Sequence, residues 1–313
     1  MIVISNLTEE PVVRWAICRE DDRFLDHCEM ASKQKQWRTE NTMPRSVTVT
    51  YQVWSSPAEV ALASARLLAS RVEHAVATRG IARIAISGGS TPQATFKLLA
   101  DPAQPFLATI PWDKLQLFWV DERCVPPDHP ESNYGVCRDL LLSKVSIPEA
   151  NVFRMEGELD PEEAASRYES LLRNTLKLEG AESPVFDLIA LGMGPDGHTA
   201  SLFPNTEGLH ELNRLVIANH VPQKDTWRIS LTWPVINQAT EVAFEIEGPS
   251  KTDILAEVLT GPRDPERLPS QLIRPSNGKL LFLLDEAAAA KLPATSEVFT
   301  TPNGSRKVGT LEI

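Results

Sequence analysis

Long apolar runs are missing from these 313 residues: nowhere does the chain approach the 18 or more consecutive apolar residues of a membrane span. The amino terminus also lacks the basic, then apolar, then small-residue order of a secretory signal, so the expectation is a cytoplasmic protein with no membrane partner. Cysteine is scarce. Cys18, Cys28, Cys124 and Cys137 form no C-x-x-C pair and no paired histidines stand at metal-ligand intervals, so neither a disulfide framework nor a metal site is indicated. Positive charge is in deficit too: 31 Lys and Arg against 42 Asp and Glu leave a formal charge of −11. That balance argues against nucleic acid as a partner, and any anionic substrate must be met by a local cluster of cations. No G-x-S-x-G elbow is present to support a serine nucleophile.

What the chain does have is ample apolar content, 42% of residues, arranged with clear periods after residue 45. Residues 1–45 mix charges, Trp15 and Trp37 without sustained period and read as an N-terminal extension outside the fold, too acidic for a transit peptide. From Ser46 the pattern sharpens. Val47, Val49, Tyr51 and Val53 alternate as a strand, and Pro57 opens an alanine- and leucine-rich helix to about Arg79. Short apolar strands follow at 81–86, 115–120, 186–191, 215–218, 228–232, 242–247 and 280–284. Helices stand at 93–100, at 135–142, at 161–178 and from about Lys251. Strands alternating with helices predict one α/β domain over 46–313, a mostly parallel, Rossmann-like open sheet with helices on both faces.

The stretch Phe186–Pro204, FDLIALGMGPDGHTASLFP, concentrates the chemistry. Phe186, Leu188, Ile189, Ala190 and Leu191 read as a strand buried on both faces. Gly192, Gly194 and Gly197 then permit tight turns that present Asp196 and His198 at the strand's carboxyl end, where open α/β sheets place ligands. The glycines also spell G-x-G-x-x-G. A dinucleotide site would need an acid at the end of the next strand, and Leu215–Ala218 ends at Asn219 instead. Of the six histidines, only His198 follows a glycine turn at a buried strand's end with a carboxylate two residues before it. In a cleft such an imidazole takes a proton from water while Asp196 orients it; the bland alternative is a capping histidine beside a turn aspartate.

Three further turns carry candidate anion ligands. Ser87–Pro92 joins a strand to a helix, so the backbone N–H groups of Gly88 and Gly89 and the hydroxyls of Ser90 and Thr91 can cradle a phosphate or simply cap the helix. Asp121-Glu122-Arg123 enters a proline-stiffened loop, where Arg123 either clamps an anion or pairs with its neighbours. Lys251 stands at a helix start after Gly248-Pro249-Ser250, a misplaced cation unless an anion compensates it, and Arg228 opens its strand as a further candidate.

Taken in order, SGGSTP at 87–92, WVDER at 119–123 with SNY at 132–134, GMGPDGHTASLFP at 192–204, RISLT at 228–232 and GPSK at 248–251 resemble the 6-phosphogluconolactonase family over residues 46–313. The resemblance implies hydrolysis of 6-phosphoglucono-1,5-lactone with no cofactor and no metal, on a fold similar to glucosamine-6-phosphate deaminase. It implies His198 as general base with Asp196 beside it, and Arg123 stabilising charge on oxygen or holding the phosphate. Gly88, Gly89, Ser90, Thr91 and Lys251 would bind phosphate, with Arg228 in support. The partner is then a small-molecule substrate, and the expected state a monomer or weak homo-oligomer. The deaminases carry a glutamate just before the final proline of the third block, where this chain has Phe203, so the ring-opening carboxylate is absent. Sugar-phosphate-sensing regulators resemble the same domain but add a helix-turn-helix, for which residues 1–45 show no pattern.

Overall fold

Proline and glycine punctuate the first α/β unit where the sequence places them. The structure, a computed structural model, describes residues 47–294, 297–301 and 304–313, all within one compact unit; the extension read at 1–45 lies outside the described residues. Strand β1 (Thr48–Trp54) leads into α1 (Pro57–Arg79). Ser56 caps this helix by accepting a hydrogen bond from the Glu59 N–H, Pro57 occupies its first turn, and Gly80 ends it at φ 77°. A left-handed residue at that position is the usual stop, and glycine adopts it without a Cβ penalty. The face bearing Val60, Ala61, Ala65, Leu68 and Val72 is buried.

The chain continues through β2 (Ala82–Ile86), α2 (Thr91–Leu99), β3 (Leu115–Trp119), β4 (Asp121–Arg123), the short α3 (Asn133–Cys137) and β5 (Val152–Phe153). Then come α4 (Pro161–Leu176), β6 (Leu188–Leu191), β7 (Val216–Val221), β8 (Thr226–Leu231), β9 (Glu241–Ile246), α5 (Thr252–Thr260) and β10 (Lys279–Asp285). A hairpin of β11 (Glu297–Thr301) and β12 (Gly304–Glu312) closes the chain.

Among the described residues the main sheet has nine strands in the order β11-β12-β1-β10-β9-β6-β2-β3-β5. From β1 to β5 every neighbouring pair is parallel; only the terminal hairpin runs antiparallel. All six residues of β9 are buried, as expected of a central strand covered on both faces.

Strand order sets the location of the crevice. After β2 the chain moves outward to β3 and β5, whereas after β6 it moves the other way, to β9 and β10. The adjacent carboxyl ends of β2 and β6 therefore diverge, and such a switch point leaves an opening for a ligand.

Five features differ from the sequence reading. The strands expected at 215–218 and 228–232 do not join the main sheet: β7 pairs antiparallel with β8, and β8 with β4, in a separate three-stranded sheet. Asp121–Arg123, read as loop, is a strand because its backbone pairs with β8, a long-range partner that no local pattern encodes. The helix expected to run through to about Leu142 changes to a π-helical turn at Arg138–Leu142, and the residues at 152–153 and the terminal hairpin form strands that the sequence pattern does not predict.

Candidate active site

Strand β4 and the loops from the carboxyl ends of β2, β6 and β9 enclose a cleft of about 540 Å³. Its wall includes Ser87, Gly88, Gly89, Ser90, Thr91, Arg123, His198 and Lys251, so the separate candidate turns of the sequence meet in one place.

His198 is held from three sides. Its Nδ1 lies 2.5 Å from Asp196 Oδ1, which also accepts the His198 backbone N–H at 3.3 Å. Its ring stacks on Phe203 with centroids 3.9 Å apart, and its carbonyl accepts the Gly194 N–H at 2.8 Å. Burial by itself would raise the Asp196 carboxyl, but the hydrogen bond and charge of His198 outweigh it and hold it below its ordinary value. An aspartate that stays ionised commits the ring proton to Nδ1 and leaves Nε2 as the acceptor. The loop itself is anchored: Ser270 donates from both N–H and Oγ to the Gly197 carbonyl, and Thr199 Oγ1 donates to the Gly192 carbonyl. Gly194 is required by close approach, since a Cβ there would sit 2.0 Å from His198 Nδ1.

The turn after β2 is open to the cleft. Gly89 takes φ 105°, and a Cβ on Gly88 would fall 1.9 Å from Asn133 Oδ1. Ser90 precedes α2 but makes no side-chain cap bond, so its hydroxyl is not spent on the helix.

The Asp121-Glu122-Arg123 triplet divides its labour. Asp121 is buried and accepts the Ser201 hydroxyl at 2.7 Å. Glu122 is buried and accepts the N–H groups of Arg123, Asn133 and Tyr134 and the hydroxyl of Ser132, tying β4 to the start of α3. Burial raises its carboxyl while those N–H groups oppose the rise. Arg123 alone reaches the cleft as a cation, steadied by an Nη1 bond to the Glu131 carbonyl at 3.2 Å. Across the β4–β8 ladder Arg123 stands opposite Arg228. Arg228 itself is not among the residues lining the cleft; its Nη1 bonds Thr226 Oγ1 and the Trp227 carbonyl, and burial followed by the charge of Arg123 lowers its affinity for a proton. Lys251 lies at the end of a 3-10 turn before α5, with Nζ on the Met193 carbonyl at 2.8 Å, so it bridges to the His198 loop. Burial lowers its pKa, with Asp196 working the other way.

One wall residue had escaped the sequence reading. Glu247 lines the cleft just before the Gly248 turn, where burial and then the charge of Asp285 push its carboxyl up to about 7. The signal was available: Glu245 and Glu247 alternate within an otherwise apolar strand run, placing two carboxyls on one buried face.

The family described as glucosamine-6-phosphate isomerases/6-phosphogluconolactonase matches residues 55–282. The chain is 41% identical over 224 residues to a 6-phosphogluconolactonase of Synechocystis sp., covering 71% of this chain and 90% of that protein. It is 39% identical over 251 residues to a Homo sapiens 6-phosphogluconolactonase, covering 80% and 96%. Among solved structures, 6-phosphogluconolactonase from Trypanosoma brucei is similar with a TM-score of 0.69 at 29% identity, over 79% of this chain and 100% of that one. A monomeric glucosamine-6-phosphate deaminase, at 19% identity and a TM-score of 0.64, shares the fold. With the matched segment covering every residue that lines the cleft, the chain belongs to the glucosamine-6-phosphate isomerase/6-phosphogluconolactonase family.

Proposed function

We propose that this chain hydrolyses 6-phosphoglucono-1,5-lactone to 6-phosphogluconate, and that residues 46–313 form the single domain that does so. The observation that carries the reading is the meeting of an Asp-oriented imidazole with Arg123, Lys251 and the Gly88–Thr91 turn in one cleft. In an acidic protein that local cluster supplies the positive field a phosphate dianion requires.

Bound with its phosphate against the Gly88–Thr91 turn and the cations, the lactone carbonyl meets a water on His198 Nε2. The imidazole takes the water's proton as the oxygen attacks C1, and the C1 carbonyl oxygen becomes an oxyanion. Arg123 stabilises that charge or holds the phosphate, with Arg228 supporting it from the adjacent strand. Collapse breaks the bond from C1 to the ring oxygen, which receives the proton from the imidazolium and leaves as the sugar hydroxyl. The new carboxylic acid then releases a proton to solvent. Lactones hydrolyse readily, so positioning plus one base accounts for the chemistry.

Phe203 weighs against a deaminase reading, since the position where deaminases carry a glutamate holds a buried ring stacked on His198. The expected partner is a small phosphorylated lactone, handled by a monomer or weak oligomer. Incubation with freshly generated lactone should release acid well above the spontaneous rate; binding without turnover would reject the enzyme in favour of a sensor.

A further inference from the structure

Glu247 lines the cleft and has no part in the reaction just described. It follows β9 directly, and its Oε1 is closed off from solvent with no hydrogen-bond partner among the described residues. A carboxyl with one oxygen shut away unpaired is poorly supported as an anion. Ser87, 8% exposed, lines the same cleft, and its Oγ is likewise buried without a partner among the described residues. Two polar side chains without such partners in one cleft wall match the hydroxyl-bearing part of a sugar acid, which both donates and accepts hydrogen bonds.

We propose that Glu247 is a substrate-contacting residue that recognises the polyhydroxyl portion of the sugar acid, binding it as a neutral carboxylic acid that exchanges a hydrogen bond with a substrate hydroxyl. The inference rests on the lactonase reading of the cleft and deepens it. An ionised carboxylate here would repel the phosphate dianion. Burial and the charge of Asp285 work against ionisation, and Asp285 is fixed in place by the Gly248 N–H at 3.0–3.1 Å and the Ala288 N–H at 2.7 Å. The other ionisable groups in the wall are Asp121, Arg123, His198 and Lys251, with Asp196 on His198; Arg123 and Lys251 favour ionisation, while α1 brings only Pro57 and the Gly88–Thr91 turn brings no charge. A bound dianion adds to the charge of Asp285, so binding takes up a proton at Glu247 when the pH exceeds about 7.

Titration calorimetry on the full chain with 6-phosphogluconate and with inorganic phosphate, at pH 6 and pH 8.5 in two buffers of different ionisation enthalpy, tests this. Glu247→Gln keeps the hydrogen-bonding shape of the neutral acid. It should match the wild type on 6-phosphogluconate at pH 6 and bind about tenfold tighter at pH 8.5, without the wild type's proton uptake. Glu247→Leu should lose about three- to tenfold in affinity for 6-phosphogluconate at pH 6 while its affinity for inorganic phosphate stays within about twofold. Equal pH dependence in wild type and Glu247→Gln, or equal losses of Glu247→Leu for both ligands, would overturn the assignment. A wild type that binds no 6-phosphogluconate at either pH would remove the lactonase reading and this inference with it.

Discussion

An imidazole serves as a base when one ring nitrogen is committed elsewhere, and here Asp196 commits Nδ1 while Phe203 fixes the plane of the ring. The cation opposite has a separable task. Arg123 presents a planar fork to the cleft from a strand pinned by Glu122, so its loss should fall on the phosphate end of the substrate. Replacing Arg123 by Gln should lower kcat/KM for the phosphorylated lactone about 10²-fold or more, and for the unphosphorylated glucono-1,5-lactone only a few-fold. Rates on the two substrates measured side by side check this; equal losses would make the residue structural.

At the level of elements, β9 carries an unusual load. Glu245 is buried inside the sheet's cover, its carboxyl accepting Ser64 Oγ at 3.0 Å and Thr95 Oγ1 at 2.9 Å from α1 and α2, and burial pushes it up to about 8. The folded state keeps a proton that the unfolded chain gives up above the ordinary carboxylate range, so this group makes stability fall as pH climbs from about 5 to about 8. Glu245→Gln should flatten that dependence: its melting temperature should change between pH 5 and pH 8 by several degrees less than that of the wild type. Thermal melts at the two pH values decide it, and an unchanged slope would contradict the burial argument. Elements differ in how far the sequence revealed them. The α1 boundaries were legible because Pro57 and Gly80 mark them chemically, and the strand before Gly192 because its apolar run breaks sharply. The small sheet was not, since β4 is three charged residues whose strand character comes from pairing with β8 a hundred residues on. The same limit hides the separation of roles among Asp121, Glu122 and Arg123, whereas Glu247 is marked in the sequence only by its two-residue spacing from Glu245 in the strand run.

For the whole molecule, topology does what no single motif can: the divergence of the chain after β2 and after β6 gathers loops distant in sequence at one opening, bringing Arg123 and Lys251 together in a chain of net charge −11. The terminal hairpin has a different whole-molecule role, because β12 covers the edge of β1 along its full length from Thr48 to Trp54. Ending the chain after residue 295 should uncover that edge and produce concentration-dependent association, read by light scattering, where a monodisperse truncated protein with unchanged melting would refute the protective role. The central claim, that the cleft is catalytic and His198 its base, is tested most directly by acid release from fresh 6-phosphoglucono-1,5-lactone with His198→Ala beside the wild type. The account predicts a kcat lowered by about 10² to 10⁴ with 6-phosphogluconate affinity retained; turnover equal to the wild type would contradict it.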